Sequence, residues 1–368
     1  MKKALAILSS PKTLCDFFWF YVEYGKEYEW DAYIQKGFIL SEGWLKKTEL
    51  FQTIYVDDTD LTKTNPIRKF ILAFQMLVYK LINCREKFAR KIIKNKTNEK
   101  EYDLYIVVPY SMGLLPGLVF LLGKEKEVVI LEDGLSDYTE RPNKWEKTNP
   151  HNMLYLASFL FAKMGYADLT FQYDLDSYRY CIKCSSNPME LEYKEYKEIR
   201  TIGTFTSNNQ KEYNKLINKT FDIKDISDAD VVLYTSPLND ITDDEELLSI
   251  IISKTQRFID ENYSGSKLIL KKHPRDETEY VFCQSIQVVE IDNIIPGEII
   301  EELLANKNEH IIISMYVSTI LQHISNDNYI VLYYKDLEDG PLKMPYKQEF
   351  LRVAEKCSIY SNKIVEIA

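Results

Sequence analysis

The feature that most constrains the fold is an alternation, met twice along the chain, of short apolar runs with helical patterns. In the later half, Val231–Tyr234 reads as a strand and Glu245–Asn262 as a helix. Leu268–Leu270 and Val288–Ile291 read as strands and Gly297–Leu304 as a helix, followed by a strand over Ile311–Ile313, a helix over Val317–Ile324 and a strand over Tyr329–Tyr333. Strands separated by helices pair in parallel, because a parallel neighbour is reached only by a crossover connection. The α/β class follows.

The earlier half carries the same rhythm. Residues 3–8 read as a strand, Ser9-Ser10-Pro11 opens a helix over Leu14–Tyr24, and Phe51–Val56 is a second strand. Pro66 begins the longest helical pattern, Ile67–Ile93, and a strand Leu104–Val108, a helix Gly113–Leu122 and a strand Val128–Leu131 come next. Residues 151–166 look helical and 167–198 irregular, with Glu190, Glu192, Lys194, Glu195, Lys197 and Glu198 marking a linker. A chain of 368 residues exceeds one small core. The reading is therefore two Rossmann-like domains, 1–190 and 191–345, whose parallel sheets face each other across a cleft. The tail, 346–368, is a helix over about Lys347–Cys357 that crosses back to the first domain.

Composition excludes several classes. A net charge of −10 argues against a nucleic-acid binder, which needs a net basic face to release counterions. Six cysteines without a paired framework point to a reducing cytoplasm, and Cys181-x-x-Cys184 reads as structural. Residues 1–8 are too short an apolar run for a signal peptide, and no stretch of about 18 apolar residues is present to span a bilayer. One cluster stands apart: Arg85, Lys87, Arg90, Lys91, Lys94 and Lys96 end the long helical pattern. It reads equally as a peripheral contact of segment 85–96 with the inner membrane and as a solvated helix end whose cations suit the C-terminal dipole.

Two strand ends carry the chemistry. Lys267–Leu270 runs into Lys271-Lys272-His273-Pro274-Arg275, and two lysines, an imidazole and a guanidinium at a strand's carboxyl end suit a phosphate. Ser314, Ser318 and Thr319 follow the strand two further on, where hydroxyls and free backbone amides at the start of the Val317 helix offer a second anion contact; simple N-capping is the other reading. Between them, Glu298 in Ile295-Pro296-Gly297-Glu298 is placed to accept from a ribose or base, or to offset the helix dipole. In the first half, Val128–Leu131 delivers Glu132-Asp133-Gly134. Two adjacent acids lack the spacing of a metal site and suit a general base with an orienting neighbour, or an acidic turn. The same three letters recur at Glu338-Asp339-Gly340, read as a surface loop that no strong strand feeds. A phosphate cradle on one domain and a base on the other describe an inverting glycosyl transfer, with the leaving phosphate stabilised as its charge develops.

The order Glu132-Asp133-Gly134, Lys272-His273-Pro274-Arg275, Pro296-Gly297-Glu298 and Ser318-Thr319 resembles the bacterial sialyltransferases of glycosyltransferase family 52, which modify lipooligosaccharide and capsule and have a GT-B fold. That resemblance implies metal-independent, inverting transfer of N-acetylneuraminic acid from CMP-Neu5Ac to a hydroxyl of a terminal sugar, with galactose the expected acceptor, and no cofactor. It implies that His273 contacts the donor phosphate, with Ser318 and Thr319, and that Pro296 and Glu298 lie against cytidine and ribose. For the base it offers the Glu132-Asp133 pair or an aspartate of the second domain, here Asp240. Here the serine motif is Val-Ser-Thr rather than a run of serines. Partners expected are a nucleotide-sugar donor, a glycan acceptor and a second copy of the chain. Two other readings stay open: a polysialyltransferase or CDP-glycerol-type polymer transferase, and a non-catalytic CMP-binding scaffold of a capsule assembly complex.

Overall fold

The computed structural model describes residues 1–35, 40–57, 85–107, 119, 122, 126–131, 179–183, 198–202, 207–221, 223, 226, 228–304, 310–316, 328–343, 345–356 and 363–367. They fall into two compact units, 1–184 with 191–221 and 185–190 with 222–368.

The first unit holds β1 (Lys2–Leu8), α1 (Pro11–Tyr24), β2 (Tyr28–Gln35), α2 (Glu42–Thr48), β3 (Phe51–Asp57), α3 (Arg85–Lys96) and β4 (Leu104–Val107). β5 (Glu127–Leu131), β6 (Arg179–Lys183), β7 (Glu198–Ile202) and α4 (Ser207–Thr220) complete it. Its seven strands are parallel in the order β3-β2-β1-β4-β5-β6-β7. Ala4–Leu8 is buried residue after residue, as a strand covered on both faces must be. α1 starts where the sequence sets it: Ser10 accepts from the Thr13 amide, the Thr13 hydroxyl answers at the Ser10 amide, and Pro11 fills the first turn. Its aromatic face then buries Phe17, Phe18, Trp19 and Phe20, with Phe17 set edge-on to Trp30 at 4.9 Å.

β2 and β6 escaped the sequence reading. β2 reads Tyr-Glu-Trp-Asp-Ala-Tyr-Ile-Gln, too polar for a buried strand until its partners are seen. Asp31, 4% exposed, receives the Lys100 ammonium at 2.7 Å and the Tyr102 hydroxyl at 2.8 Å. A charge buried with two donors can stay inside a sheet.

The divide between the units also differs from the expected 190. β7 extends the first sheet beside β6, and α4 lies on α1 and α2, with Trp19–Tyr213 and Trp44–Phe221 ring contacts of 5.2 Å each. Tyr213, Leu216, Ile217 and Phe221 form a buried stripe, so 198–221 belongs to the first core.

The second unit comprises β8 (Val231–Tyr234), α5 (Glu245–Asn262), β9 (Lys267–Lys271), β10 (Gln287–Ile291), α6 (Gly297–Leu304) and β11 (Ile311–Ser314). β12 (Tyr329–Tyr334), α7 (Asp336–Asp339), α8 (Tyr346–Lys356) and β13 (Ile364–Ile367) follow. The six strands are parallel in the order β10-β9-β8-β11-β12-β13. Counted within the unit that is 3-2-1-4-5-6, the doubly wound order of dinucleotide-binding halves. Two Rossmann-like units in one α/β chain are thus what the alternation led us to expect.

The tail departs from expectation. α8 does not leave the second unit: Phe350 lies 4.8 Å and Tyr346 5.8 Å from the Tyr333 ring, and β13 adds a strand beyond β12. Glu338-Asp339-Gly340 is likewise fed by a strand, since β12 ends at Tyr334 just before α7. Its glycine answers to α5, because a Cβ at Gly340 would stand 2.5 Å from Leu247 Cδ2.

Replacing the α1 cap, Ser10→Ala, removes the hydroxyl that accepts the Thr13 amide and leaves the bond from the residue 10 backbone N–H to the Thr13 hydroxyl in place. The expected cost is about 1 kcal/mol, read as an earlier urea transition of the first unit with an unchanged slope.

Candidate active site

In a doubly wound sheet the strand order reverses between the first and fourth strands, and ligands sit outside the carboxyl ends there. In the second unit that point lies between β8 and β11, with β9 on the other side of β8. The end of β9 carries Lys271 to Asp276, and the end of β8 carries Thr235 to Asp240.

These two ends are tied through one hydroxyl. The Thr235 amide donates to the Lys271 carbonyl (3.1 Å), extending the β8–β9 ladder one residue past the strands. The Thr235 hydroxyl accepts the His273 amide at 3.2 Å and donates to the Asp276 carboxylate. Asp276 is buried; it also takes the Tyr280 hydroxyl (3.2 Å) and the Thr278 amide (3.1 Å), while its own amide closes the turn on the His273 carbonyl at 2.9 Å. The proline stops the strand, and this network sets where it stops.

His273 is half-buried with a defined tautomer. The Arg275 backbone N–H donates to its Nδ1 at 3.2 Å, so the proton of the neutral ring sits on Nε2. Burial, then the Arg275 and Lys271 charges, hold its pKa below the ordinary imidazole value. At neutral pH the ring is an uncharged Nε2–H donor. Lys271 is only 4% exposed; its ammonium donates to the carbonyls of Lys272 (2.6 Å) and Asn293 (3.0 Å). Burial pushes it down to about 8, against the pull of Glu298 and Asp292. Asn293 returns the tie by donating to the Pro274 carbonyl at 3.4 Å. The His-Pro turn and the loop that leads into α6 are therefore stapled together.

The other expected residues distribute around this core. Lys272 stands 3.5 Å from Glu290, Pro274 and Arg275 are exposed, and the Arg275 guanidinium pairs with Asp240 at 2.8 Å. Pro296 and Glu298 are half-buried at the start of α6, which the Tyr234 hydroxyl holds to the sheet through the Gly297 carbonyl (3.3 Å) and Glu301 (2.5 Å). Ser314 ends β11, about 10 Å from β9 by two strand spacings of roughly 4.8 Å. Its side chain is buried and its hydroxyl is committed to the Tyr316 carbonyl. Glu132, Asp133, Ser318 and Thr319 lie outside the described residues. Sequence reasoning missed Thr235, Asp276 and Tyr280. Their signal was the polar Thr-Ser ending an apolar strand, and an aspartate three residues past the histidine.

Against this geometry, the model of the alpha-2,8-polysialyltransferase (POLYST) family matches residues 119–334, more than half of the chain. The chain belongs to this polysialyltransferase family. The matched span takes in every motif on which the family 52 resemblance rests, and its name is one of the readings left open above. The broader expectation, a sialyltransferase-family chain with two Rossmann-like units, holds. No match was found among curated proteins. Among solved structures, the GT-B domain of the Photobacterium damselae sialyltransferase is similar at 12% identity and a TM-score of 0.49 over 100% of both chains. S. aureus MnaA with UDP aligns at 13% identity and 0.45, over 98% of this chain and 90% of that one. The UDP-GlcNAc 2-epimerase of Methanocaldococcus jannaschii aligns at 13% and 0.43, over 86% and 79%. For the polysialyltransferase-family chain, its own strand orders carry the fold.

Two outcomes test this site. Thr235→Val leaves the shape but removes one acceptor and one donor; nucleotide affinity by calorimetry should fall about tenfold, in line with roughly 1.4 kcal/mol for a hydrogen-bonded pair, with the circular dichroism unchanged. Lys271 loses its charge on passing upward through about pH 8, so nucleotide affinity should decline above that pH in the native protein. In Lys271→Met the affinity should be lower at pH 7 and flat through that range.

Proposed function

We propose that this chain transfers N-acetylneuraminic acid from CMP-Neu5Ac to a hydroxyl of a terminal sugar of a bacterial surface glycan, with inversion and without a metal ion. The observation that carries the reading is the neutral, Nε2–H-bearing His273 among Lys271, Lys272 and Arg275 at the carboxyl end of β9, one strand from the point where the second sheet reverses its strand order. A donor phosphate there would take the imidazole N–H, and the negative charge that grows on the leaving CMP would be met by fixed cations. Bound phosphate would also draw the His273 pKa upward, toward a ring able to give its proton to the leaving oxygen. Pro296 and Glu298 supply the wall for cytidine and ribose, with α6 held by Tyr234.

The base comes from one of two places. Asp240 pairs with Arg275 in the structure described here. A phosphate competing for that guanidinium, which grips oxyanions in a fork, would leave the carboxylate to the acceptor hydroxyl. Glu132 and Asp133, at the carboxyl end of β5, are the other choice. Family membership makes a terminal sialic acid the acceptor we favour over galactose. We place the reaction in the cytoplasm, where CMP-activated donor and reduced cysteines coexist.

Release of free nucleotide from a panel of CMP-, CDP- and UDP-activated donors tests the donor class. Release from CMP-Neu5Ac alone, undiminished in excess chelator, is expected. Release from CDP-glycerol instead, or CMP binding with no turnover of any donor, would overturn the reading in favour of a polymer transferase or a scaffold. His273→Ala should lower kcat by about 10²–10³ while CMP still binds. With sialylated and galactose-terminated acceptors side by side, transfer to the sialylated one should dominate.

A further inference from the structure

The second acidic triplet, Glu338-Asp339-Gly340, takes no part in the transfer chemistry, yet it is tightly placed. The Glu338 carboxylate accepts the Tyr333 hydroxyl and the Lys347 ammonium. Asp336, at the start of α7, pairs with Lys254 of α5 at 2.7 Å, and Leu337 is buried. Gly340 leaves no room for a Cβ beside Leu247. α7 is thus seated on α5, and the residues that leave it, Pro341-Leu342-Lys343, start from a fixed point.

Those three residues run beside the loop that follows β8 and hold it on both sides of Asp240. The Lys343 amide donates to the Ile241 carbonyl at 2.7 Å, and Leu342 faces Thr242 in an antiparallel bridge. Thr242 is fully buried; its hydroxyl donates to the Pro341 carbonyl at 2.7 Å and accepts the Asp244 amide at 3.1 Å. The Lys343 ammonium donates to the Asn239 carbonyl at 2.7 Å and pairs with the Asp243 carboxylate. Asn239, Ile241, Thr242 and Asp243 are therefore tied to one short segment, while Asp240, in their midst, sends its carboxylate to Arg275 at 2.8 Å. The Lys343–Asp243 pair is exposed and adds little by itself. The bonds to backbone carbonyls matter more, because they fix the Asp240 Cα and leave the carboxylate only its own side-chain torsions. That hold does not depend on the Arg275 ion pair. Once a phosphate draws the guanidinium away, the carboxylate is left where it was, and a reacting group displaced by about 1 Å can lose on the order of 10² in rate.

We propose that Lys343 and Thr242 are positioning residues for Asp240: they hold its backbone so that the carboxylate keeps its place for the acceptor hydroxyl after Arg275 turns to the donor phosphate. The inference rests on the sialyl-transfer reading and on its second-unit choice of base.

Kinetics of sialyl transfer from CMP-Neu5Ac by the full chain, together with calorimetry of CMP binding, test the proposal. Lys343→Met should lower kcat about tenfold, with KM for CMP-Neu5Ac and CMP affinity unchanged, and Lys343→Arg should recover most of the loss. In an Asp240→Asn background the same Lys343→Met change should cost nothing further, because a residue that acts through the carboxylate has no target once the carboxylate is gone. Thr242→Val should follow Lys343→Met in both backgrounds. A native kcat in both Lys343→Met and Thr242→Val, an undiminished loss in the Asp240→Asn background, or a parallel fall in CMP affinity would overturn the assignment. A native chain that transfers sialic acid and loses no rate in Asp240→Asn removes this inference and leaves the sialyl-transfer reading standing. A native chain that releases no CMP from CMP-Neu5Ac overturns that reading and the inference together.

Discussion

The second unit depends on one hydroxyl placed where two parallel strands run out. Parallel ladders end abruptly, and the backbone groups beyond the last pair must find other partners. Thr235 supplies them at both sides: its amide continues the ladder to Lys271, and its side chain takes the His273 N–H and gives its own proton to Asp276. A serine in this place would make the same bonds but rotate more freely at χ1, whereas threonine is stiff there. The His273 imidazole therefore inherits its position from sheet geometry rather than from a loop.

Around that point charge is arranged by burial as much as by proximity. Lys271 is nearly sealed, yet its ammonium is satisfied by two carbonyls and kept ionised by the field of Glu298 and Asp292. Arg275 stands at the surface, where its guanidinium can change partners at low cost. One cation is thus fixed and the other exchangeable. The proposed reaction, which first attracts a nucleotide sugar and then releases a nucleotide, would benefit from both kinds.

Much of this could be read from the letters. β8, α5, β9, β10, α6, β11 and β12 lie where periodicity put them within a residue or so, because each apolar run is bounded by turn residues and β8, β9, β11 and β12 are covered on both faces. His273, Lys272, Arg275, Pro296 and Glu298 come from that alternation plus short motifs, Asp240 from the family resemblance, and they share one edge because parallel strands share one. What could not be read was whatever depends on partners far along the chain. β2 looks soluble until Lys100 and Tyr102 reach Asp31, β7 looks like the start of a new domain until β6 receives it, and α8 gives no sign of the Tyr333 ring that keeps it in the second unit. Ser314 had the right residue type at the right strand end, and only the coordinates show its hydroxyl turned to a carbonyl.

The central pair of the first sheet joins β1 to β4, and the Lys3 amide reaches the Asp103 carboxylate across a separation of 100 residues. Such a pairing closes a long loop before any of its neighbours can reward it, and topologies dominated by distant contacts assemble slowly. A ribosome adding about 5–20 residues per second needs several seconds to travel from one of these strands to the other. In that interval β1 has only β2 and β3, on one of its sides, and α1 packs against their rings alone. Nascent chains of this protein thus pass through a window in which a holdase chaperone would find Trp19, whose ring partner Tyr213 is made far later, within reach.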